Sequence, residues 1–309
     1  MLECSSLKTH MKNVHITVLL QETVDFLNLQ KGDIVVDGTL GAGGHTLLML
    51  EKMKGNIFVL GLDLDQNALN RSEERLKQAG WSSQVSFIKT NFGDIEKAVG
   101  EKHMQSINKV VLDLGFSSNQ LEVEGRGFSF MKDESLIMTL SDSPEDVTAY
   151  DVVNHWSEES IADIIYGFGE EQFSRRIAKA IIEARKTKAI QTTFELADIV
   201  KKSVPLFYQK GKIHPATKTF QAIRIAVNRE LENLKSFLES VPRIMASQGR
   251  VAIISFHSLE DRIIKRAFHQ MELDGIGTRI TKKPIIPTGD EIKQNPRSRS
   301  AKLRVFEMR

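Results

Sequence analysis

Short apolar runs at residues 34–37, 57–63, 85–90 and 109–113 carry the strongest structural signal in the chain. They are continuous and rich in β-branched side chains rather than alternating, as strands covered on both faces are. A fifth run of the same kind spans 250–256. Segments of helical period separate the early runs; over 66–78, Ala68, Leu69 and Leu76 share one face. Strand–helix alternation predicts right-handed crossovers and an open parallel sheet. The fourth and fifth runs lie 137 residues apart, from Asp113 to Arg250. A single crossover needs only about 30 residues, so a second unit is inserted there. That insertion reads as helical, with apolar residues three and four apart over 160–166, 172–187 and 193–204. Beyond the fifth strand, 259–272 reads as a helix, and 278–286 with 301–308 as a closing antiparallel pair. The predicted fold class is α/β, a Rossmann-like sheet with an inserted small helical domain. The boundaries fall at 1–118, 119–213 and 214–309.

Charge sharpens this division. Lys and Arg exceed Asp and Glu by only two over the 309 residues, but the distribution is uneven. Residues 118–160 hold ten acidic and two basic side chains. Residues 171–229 hold thirteen basic and four acidic ones, and 279–309 hold nine and three. Two basic blocks in a near-neutral chain suggest a polyanion footprint, although cations on solvated helix faces give the same count. The single cysteine, Cys4, excludes an intramolecular disulfide and a cysteine-cluster metal site. No apolar run is long enough to span a bilayer, and no secretion signal is evident, so a cytoplasmic protein without membrane attachment is expected.

The candidate chemistry sits at strand ends. Asp37-Gly-Thr-Leu-Gly-Ala-Gly-Gly-His45 lies where the first strand turns into the first helix. Glycines there allow close backbone approach to a ligand, and the helix start offers free N–H groups. The dinucleotide fingerprint fails, because a pattern begun at Gly41 meets Thr46 where its third glycine belongs. Asp37 would also repel a pyrophosphate but attract a cationic amino-acid group. The loop therefore favours S-adenosylmethionine over NAD, with a ligand-free tight turn as the remaining reading. Asp63 ends the second strand, where a carboxylate accepts hydrogen bonds from ribose hydroxyls. Phe92 follows the third strand and suits either an adenine ring or the core.

Asp113 ends the fourth strand and should face the glycine loop, since ligands in open α/β sheets sit beyond the carboxyl ends of strands. Its carboxylate can orient an exocyclic amine and receive developing positive charge; capping the next turn is the bland alternative. After the fifth strand, Ser258 and Asp261 resemble a helix N-cap and its reciprocal partner, leaving His257 free to face the pocket and move a proton. No Gly-x-Ser-x-Gly elbow supports a hydrolase. His257 and Asp261 find no third ligand at metal spacing, so no metal site is expected.

These residues belong to a longer ordered set. It comprises His15-Ile-Thr-Val-Leu-Leu, Gly38-Thr-Leu-Gly-Ala-Gly-Gly-His45, Asp113-Leu-Gly-Phe-Ser-Ser-Asn-Gln-Leu121 and Arg126-Gly-Phe-Ser-Phe130. It continues with Tyr166-Gly-Phe-Gly-Glu-Glu171, His214-Pro-Ala-Thr-Lys-Thr-Phe-Gln-Ala-Ile-Arg224, Ser255-Phe-His-Ser-Leu-Glu-Asp-Arg262 and Asn295-Pro-Arg-Ser-Arg-Ser-Ala-Lys-Leu-Arg304. Together they resemble the ribosomal RNA small-subunit cytosine-N4 methyltransferases of the MraW type. The resemblance implies a class I S-adenosylmethionine-dependent methyltransferase that modifies the N4 amine of one cytosine in 16S rRNA, in the decoding centre. It implies cofactor contacts at Gly43, Gly44, His45, Asp63, Phe92, Asp113 and Gln120, with Asp113 also catalytic. His257 is the second catalytic candidate, for the proton. Lys218, Arg224, Arg297, Arg299, Lys302 and Arg304 are the candidates for binding RNA phosphates.

Two departures stand out. Thr17 replaces the proline of the family's opening motif, and Ser135-Leu-Ile-Met-Thr-Leu-Ser141 replaces Pro-Leu-Asp-Met-Arg-Met-Asp. Ile137, Thr139 and Ser141 thus stand for two carboxylates and an arginine, with Asp142 as a shifted substitute. This change prompts the alternative of a non-catalytic rRNA-binding assembly factor with a vestigial cofactor site. A DNA amine methyltransferase is disfavoured by Leu114-Gly115-Phe116, where a Pro-Pro-aromatic run is typical. The expected partner is 16S rRNA in the small ribosomal subunit, and a homodimer is compatible with the chain.

Overall fold

The computed structural model describes residues 17–104, 106–115, 125–141, 143 and 145–309. Seven strands form one sheet: β1 (Ile34–Asp37), β2 (Phe58–Asp63), β3 (Val85–Lys89), β4 (Ile107–Asp113), β5 (Met245–Ser255), β6 (Gly277–Arg279) and β7 (Lys302–Met308). Their order is β3-β2-β1-β4-β5-β7-β6. The first five run parallel, and β7 inserts antiparallel between β5 and β6. The chain reverses direction between β1 and β2 on one side and β4 on the other, which opens a crevice at their carboxyl ends.

Helices cover both faces, as the apolar strands require. On one face α4 (Ile95–Glu101), α11 (Glu230–Ile244) and α12 (Ser258–Leu273) supply Val99, Phe237 and Phe268 to a core shared with Val110 and Ile253. On the other, α1 (Leu20–Leu27), α2 (Gly44–Met53) and α3 (Gln66–Gln78) supply Leu27, Met49 and Leu76 against Val35 and Val59. α3 occupies the predicted 66–78, started by Asp65, whose side chain accepts from the Asn67 amide. β5 begins five residues before the predicted run. Its first half carries exposed Ser247 and Gln248 and a register shift against β4, so no apolar pattern marks it.

The insertion is helical, with α5 (Ala149–His155), α6 (Glu158–Gly167), α7 (Ser174–Thr187), α8 (Thr193–Ser203), α9 (Leu206–Gln209) and α10 (Ala216–Asn228). Reciprocal caps start α5 (Thr148 with Asp151) and α8 (Thr192 with Glu195). These helices build a separate core around Val152, Ile165, Ile181 and Leu196. α10, which follows the 213/214 division, contributes Ala216, Phe220, Ala222 and Ile223 to that second core. Among the described residues, no helix is long and apolar enough to cross a membrane.

Candidate active site

Three carboxylates end adjacent strands: Asp37 on β1, Asp63 on β2 and Asp113 on β4. Asp63 and Asp113 line a cleft of about 1330 Å³, open mouth included, whose walls include Gly38–Ala42, Gly44, His45, Phe92, Glu230, Glu260 and Arg297, while Asp37 is buried outside that lining. The glycine loop is shaped by these acids. Asp63 accepts the Gly41 amide (2.9 Å) and the Asp65 amide (2.9 Å), one on each oxygen, leaving a lone pair on each for a ligand hydroxyl. Thr46, which fails the dinucleotide pattern, donates its hydroxyl to Asp37 (2.7 Å). Gly41 and Gly43 adopt left-handed φ values of 54° and 69°, where a side chain would be strained. At Gly44 the constraint is space: an added Cβ would lie 2.0 Å from Thr17 Oγ1. Thr17, at the family's proline position, therefore closes the loop from the other side. Gly43 lies outside the cleft wall and caps α2 instead.

Burial sets the electrostatics. Asp37 is pushed up to about 6, chiefly by desolvation, against the opposing hydrogen bonds from Thr46 and the Thr39 amide. Asp63 is also raised by burial. Asp113 is pushed up to about 8 by burial, reinforced by the charges of Asp37 and Glu260. Its Oδ1 is buried without a hydrogen-bond partner, while its amide donates to Thr39 Oγ1 (2.6 Å). Asp63 and Asp113, both held above their ordinary range in the cleft wall, make a site that a cation would stabilise. Phe92 lines the cleft and also packs edge-on against Phe237 at 6.2 Å. Gln120 and Asp142 lie outside the described residues.

The far wall comes from the junction of α10 and α11, where Arg229 takes a left-handed φ of 50°. The turn carries Asn228, Glu230 and Asn233 into the cleft lining. Asn228 grips the segment that departs from the family pattern: its Nδ2 donates to the Met138 carbonyl and its Oδ1 accepts the Leu140 amide, each at 2.7 Å. Within that segment Thr139 Oγ1 donates to the Ser141 carbonyl (3.0 Å), and Leu140 presents an apolar face to the cleft. The segment is thus ordered by backbone hydrogen bonds where charged side chains were expected to act.

Several expectations need correction. α12 is capped by His257, not Ser258: His257 Nδ1 faces the Glu260 amide, and Glu260 accepts the Phe256 and His257 amides. Ser258 donates to Glu170 (2.6 Å), while Asp261 pairs with Arg304 (2.6 Å) and Lys302 (3.0 Å). His257 is not in the cleft lining; its ring is held in the cap with Nε2 3.2 Å from Glu260 Oε1. Burial pushes Glu260 up, but His257, the Phe256 amide and Arg224 outweigh it and hold the carboxyl below its usual range. Glu230 joins these two residues, placing three ligand-type atoms within 4.8 Å of one another, a convergence the spacing of 257 and 261 could not reveal. Its oxygens are engaged by Arg224 in a bidentate pair (2.7 and 2.8 Å), which already neutralises the group.

That pair removes Arg224 from the phosphate-binding set, since both side chains are 14% exposed. Arg304 is removed likewise, being 6% exposed and bound to Asp261. Lys302 shares Asp261, and Lys218 donates to the Glu170 carbonyl (2.9 Å). Arg297 and Arg299 remain exposed without a carboxylate partner among the described residues, with Arg297 in the cleft wall.

The model of the MraW methylase family matches residues 12–309. A ribosomal RNA small subunit methyltransferase H from Sulfurihydrogenibium sp. (strain YO3AOP1) is 46% identical over 291 residues, covering 94% of this chain and 98% of that protein. Proteins of the same name from Synechococcus elongatus and Clostridioides difficile are 46% and 42% identical, covering 95% of this chain and 94% and 98% of their own lengths.

Proposed function

Since the chain belongs to the MraW methylase family, we propose that it methylates the N4 amine of one cytosine in 16S rRNA of the small ribosomal subunit. The observation that carries this reading is Asp113, an unpaired carboxyl in the wall of the same cleft that the glycine loop lines. S-adenosylmethionine fits the donor set: the cleft-wall carboxyls Asp63 and Asp113, raised by burial, welcome its cationic groups. Asp63 suits its ribose hydroxyls and Phe92 its adenine. When bound, this cofactor supplies an electrophilic methyl group.

The chain's own residues then act by placement. A cytosine must leave its stack to reach the cleft, at a cost of a few kcal/mol if paired. Its exocyclic amine is a weak nucleophile, so alignment and charge stabilisation do most of the catalysis. The Asp113 carboxylate accepts one N4–H and aligns the nitrogen. It would stabilise the positive charge that develops there as the methyl group passes from the cofactor's sulfur to N4, and would take the proton that N4 gives up. The ionised carboxylate is the useful form, and a neighbouring cation favours it. The uncharged wall at Leu140 lets a neutral base ring enter without desolvating another charge. Arg297 and Arg299 bind flanking phosphates. We assign the helical unit, through the end of α10, to gripping the RNA. The proposed substrate implies a cytoplasmic enzyme.

The test is transfer of labelled methyl groups to small subunits that lack the mark, followed by nucleoside analysis. Label in N4-methylcytidine supports the reading. Subunit binding without transfer, with cofactor still bound, would instead establish the assembly-factor alternative.

A further inference from the structure

The helical unit carries a second surface, away from the cleft lining, within the basic block of residues 171–229. Residues 205–214 form a tip containing α9 and no acidic side chain. Two anchors hold it. Tyr208 donates its hydroxyl to buried Glu171 and packs edge-on against Phe173 at 5.0 Å. At the other end His214 stacks on Phe130 at 4.7 Å, and its Nδ1 accepts the Ala216 amide (3.2 Å). Between these anchors Leu206, Phe207 and Ile213 are 75%, 72% and 63% exposed. A rigidly held loop that presents apolar side chains to water is not completing its own core.

The surrounding charge is of one sign. Lys210 and Lys212 on the tip, and Lys201 near His214, are exposed and form no ion pair among the described residues. Lys202 is the neutralised neighbour, paired with Asp198. Phe207 reaches Phe173 edge-on at 6.5 Å, and exposed Arg175 and Arg176 follow on α7. An exposed aromatic ring flanked by unpaired cations suits a chain of stacked bases and phosphates, since every base offers a π-face and every phosphate a charge.

We infer that this tip is a second RNA-docking surface, on which Phe207 stacks an unpaired base while Lys210 and Lys212 neutralise phosphates. The inference rests on the proposed rRNA substrate and adds to it an anchoring site separate from the methylated cytosine. Such an anchor raises the occupancy of the substrate without touching the chemical step. It therefore acts on KM for the RNA and on salt dependence, not on the maximal rate.

The experiment compares the wild-type chain with the variant Phe207→Ala/Lys210→Ala/Lys212→Ala. A control, Lys31→Ala/Lys102→Ala, removes two exposed lysines before β1 and β4, at the opposite end of the sheet from the cleft. Cofactor affinity, methylation of unmarked small subunits and equilibrium binding to protein-free 16S rRNA are measured across a salt series. The tip variant should bind cofactor as the wild type does and keep its maximal rate. Its KM for subunits should rise at least about fivefold, from the lost stacking alone. Its affinity for protein-free rRNA should fall in parallel, with a log–log salt slope shallower by about 1.4 to 1.8. The control should change neither KM nor slope as much. Unchanged KM and slope in the tip variant would overturn the inference. So would a loss confined to assembled subunits, which would make the partner a ribosomal protein. A wild-type chain that methylates no small-subunit RNA would refute the functional reading instead, and rRNA binding would still judge the tip.

Discussion

Replacing Asp113 by Asn gives a stability signature that needs no substrate. The folded chain holds the Asp113 carboxyl at about 8, from an ordinary value of 3.8, because it is buried beside Asp37 and Glu260. Between those two values the unfolded chain has released this proton and the folded chain has kept it. The folded state then binds more protons, so this residue's contribution to stability falls as pH rises. From pH 5 to pH 8 the shift amounts to about 3 to 4 kcal/mol at 1.36 kcal/mol per pKa unit, an upper bound because water in the open cleft screens it. Asn keeps the shape and removes the titration. Asp113→Asn should therefore gain on the wild type with rising pH, and at about 2 to 4 °C of Tm per kcal/mol the gain is easily measured. Thermal melts of both proteins without cofactor at pH 5, 6.5 and 8 test this. Saturating cofactor should shrink the effect, since its positive charge favours the ionised carboxylate. A difference in Tm that stays constant from pH 5 to pH 8 would refute the burial argument.

Further outcomes follow from other parts of the structure. Arg224→Met leaves Glu230 buried and unpaired beside Glu260, and chemical denaturation should show a loss of about 3 to 5 kcal/mol, much of it recovered in Arg224→Met/Glu230→Met. Gly44→Ala places a methyl group 2.0 Å from Thr17 Oγ1 and should weaken cofactor binding by calorimetry. Adding Thr17→Ala should restore part of that affinity. Arg297→Ala/Arg299→Ala should weaken RNA binding more than cofactor binding; equal losses of both would remove these residues from the phosphate-binding set.

The sheet was legible because its parallel strands are buried on both faces and so form unbroken apolar runs. Where that condition fails, at Ser247 and Gln248 in β5, the pattern fails with it. Asp37, Asp63 and Asp113 were legible for a related reason: a carboxylate ending a parallel strand has few places to point except the crevice. Asn228, Glu230 and Asn233 were not. Their entry into the site depends on how the left-handed turn at Arg229 folds α11 over the sheet, a tertiary event without a local period. The cationic residues show a third limit. Arg224 and Arg304 count toward a basic block, but each meets a carboxylate distant or hidden in sequence context, Glu230 and Asp261. The cap of α12 was placed one residue late, at Ser258 instead of His257, because a histidine ring is not among the usual capping side chains.

The proposed role of Asp113, aligning the amine and stabilising its developing charge, is tested by single-turnover methyl transfer to unmarked small subunits in wild type and Asp113→Asn, with cofactor affinity measured beside it. The rate in the variant should be lower by about 10²- to 10⁴-fold, with cofactor affinity changed far less. A variant that forms N4-methylcytidine within about threefold of the wild-type rate would contradict it.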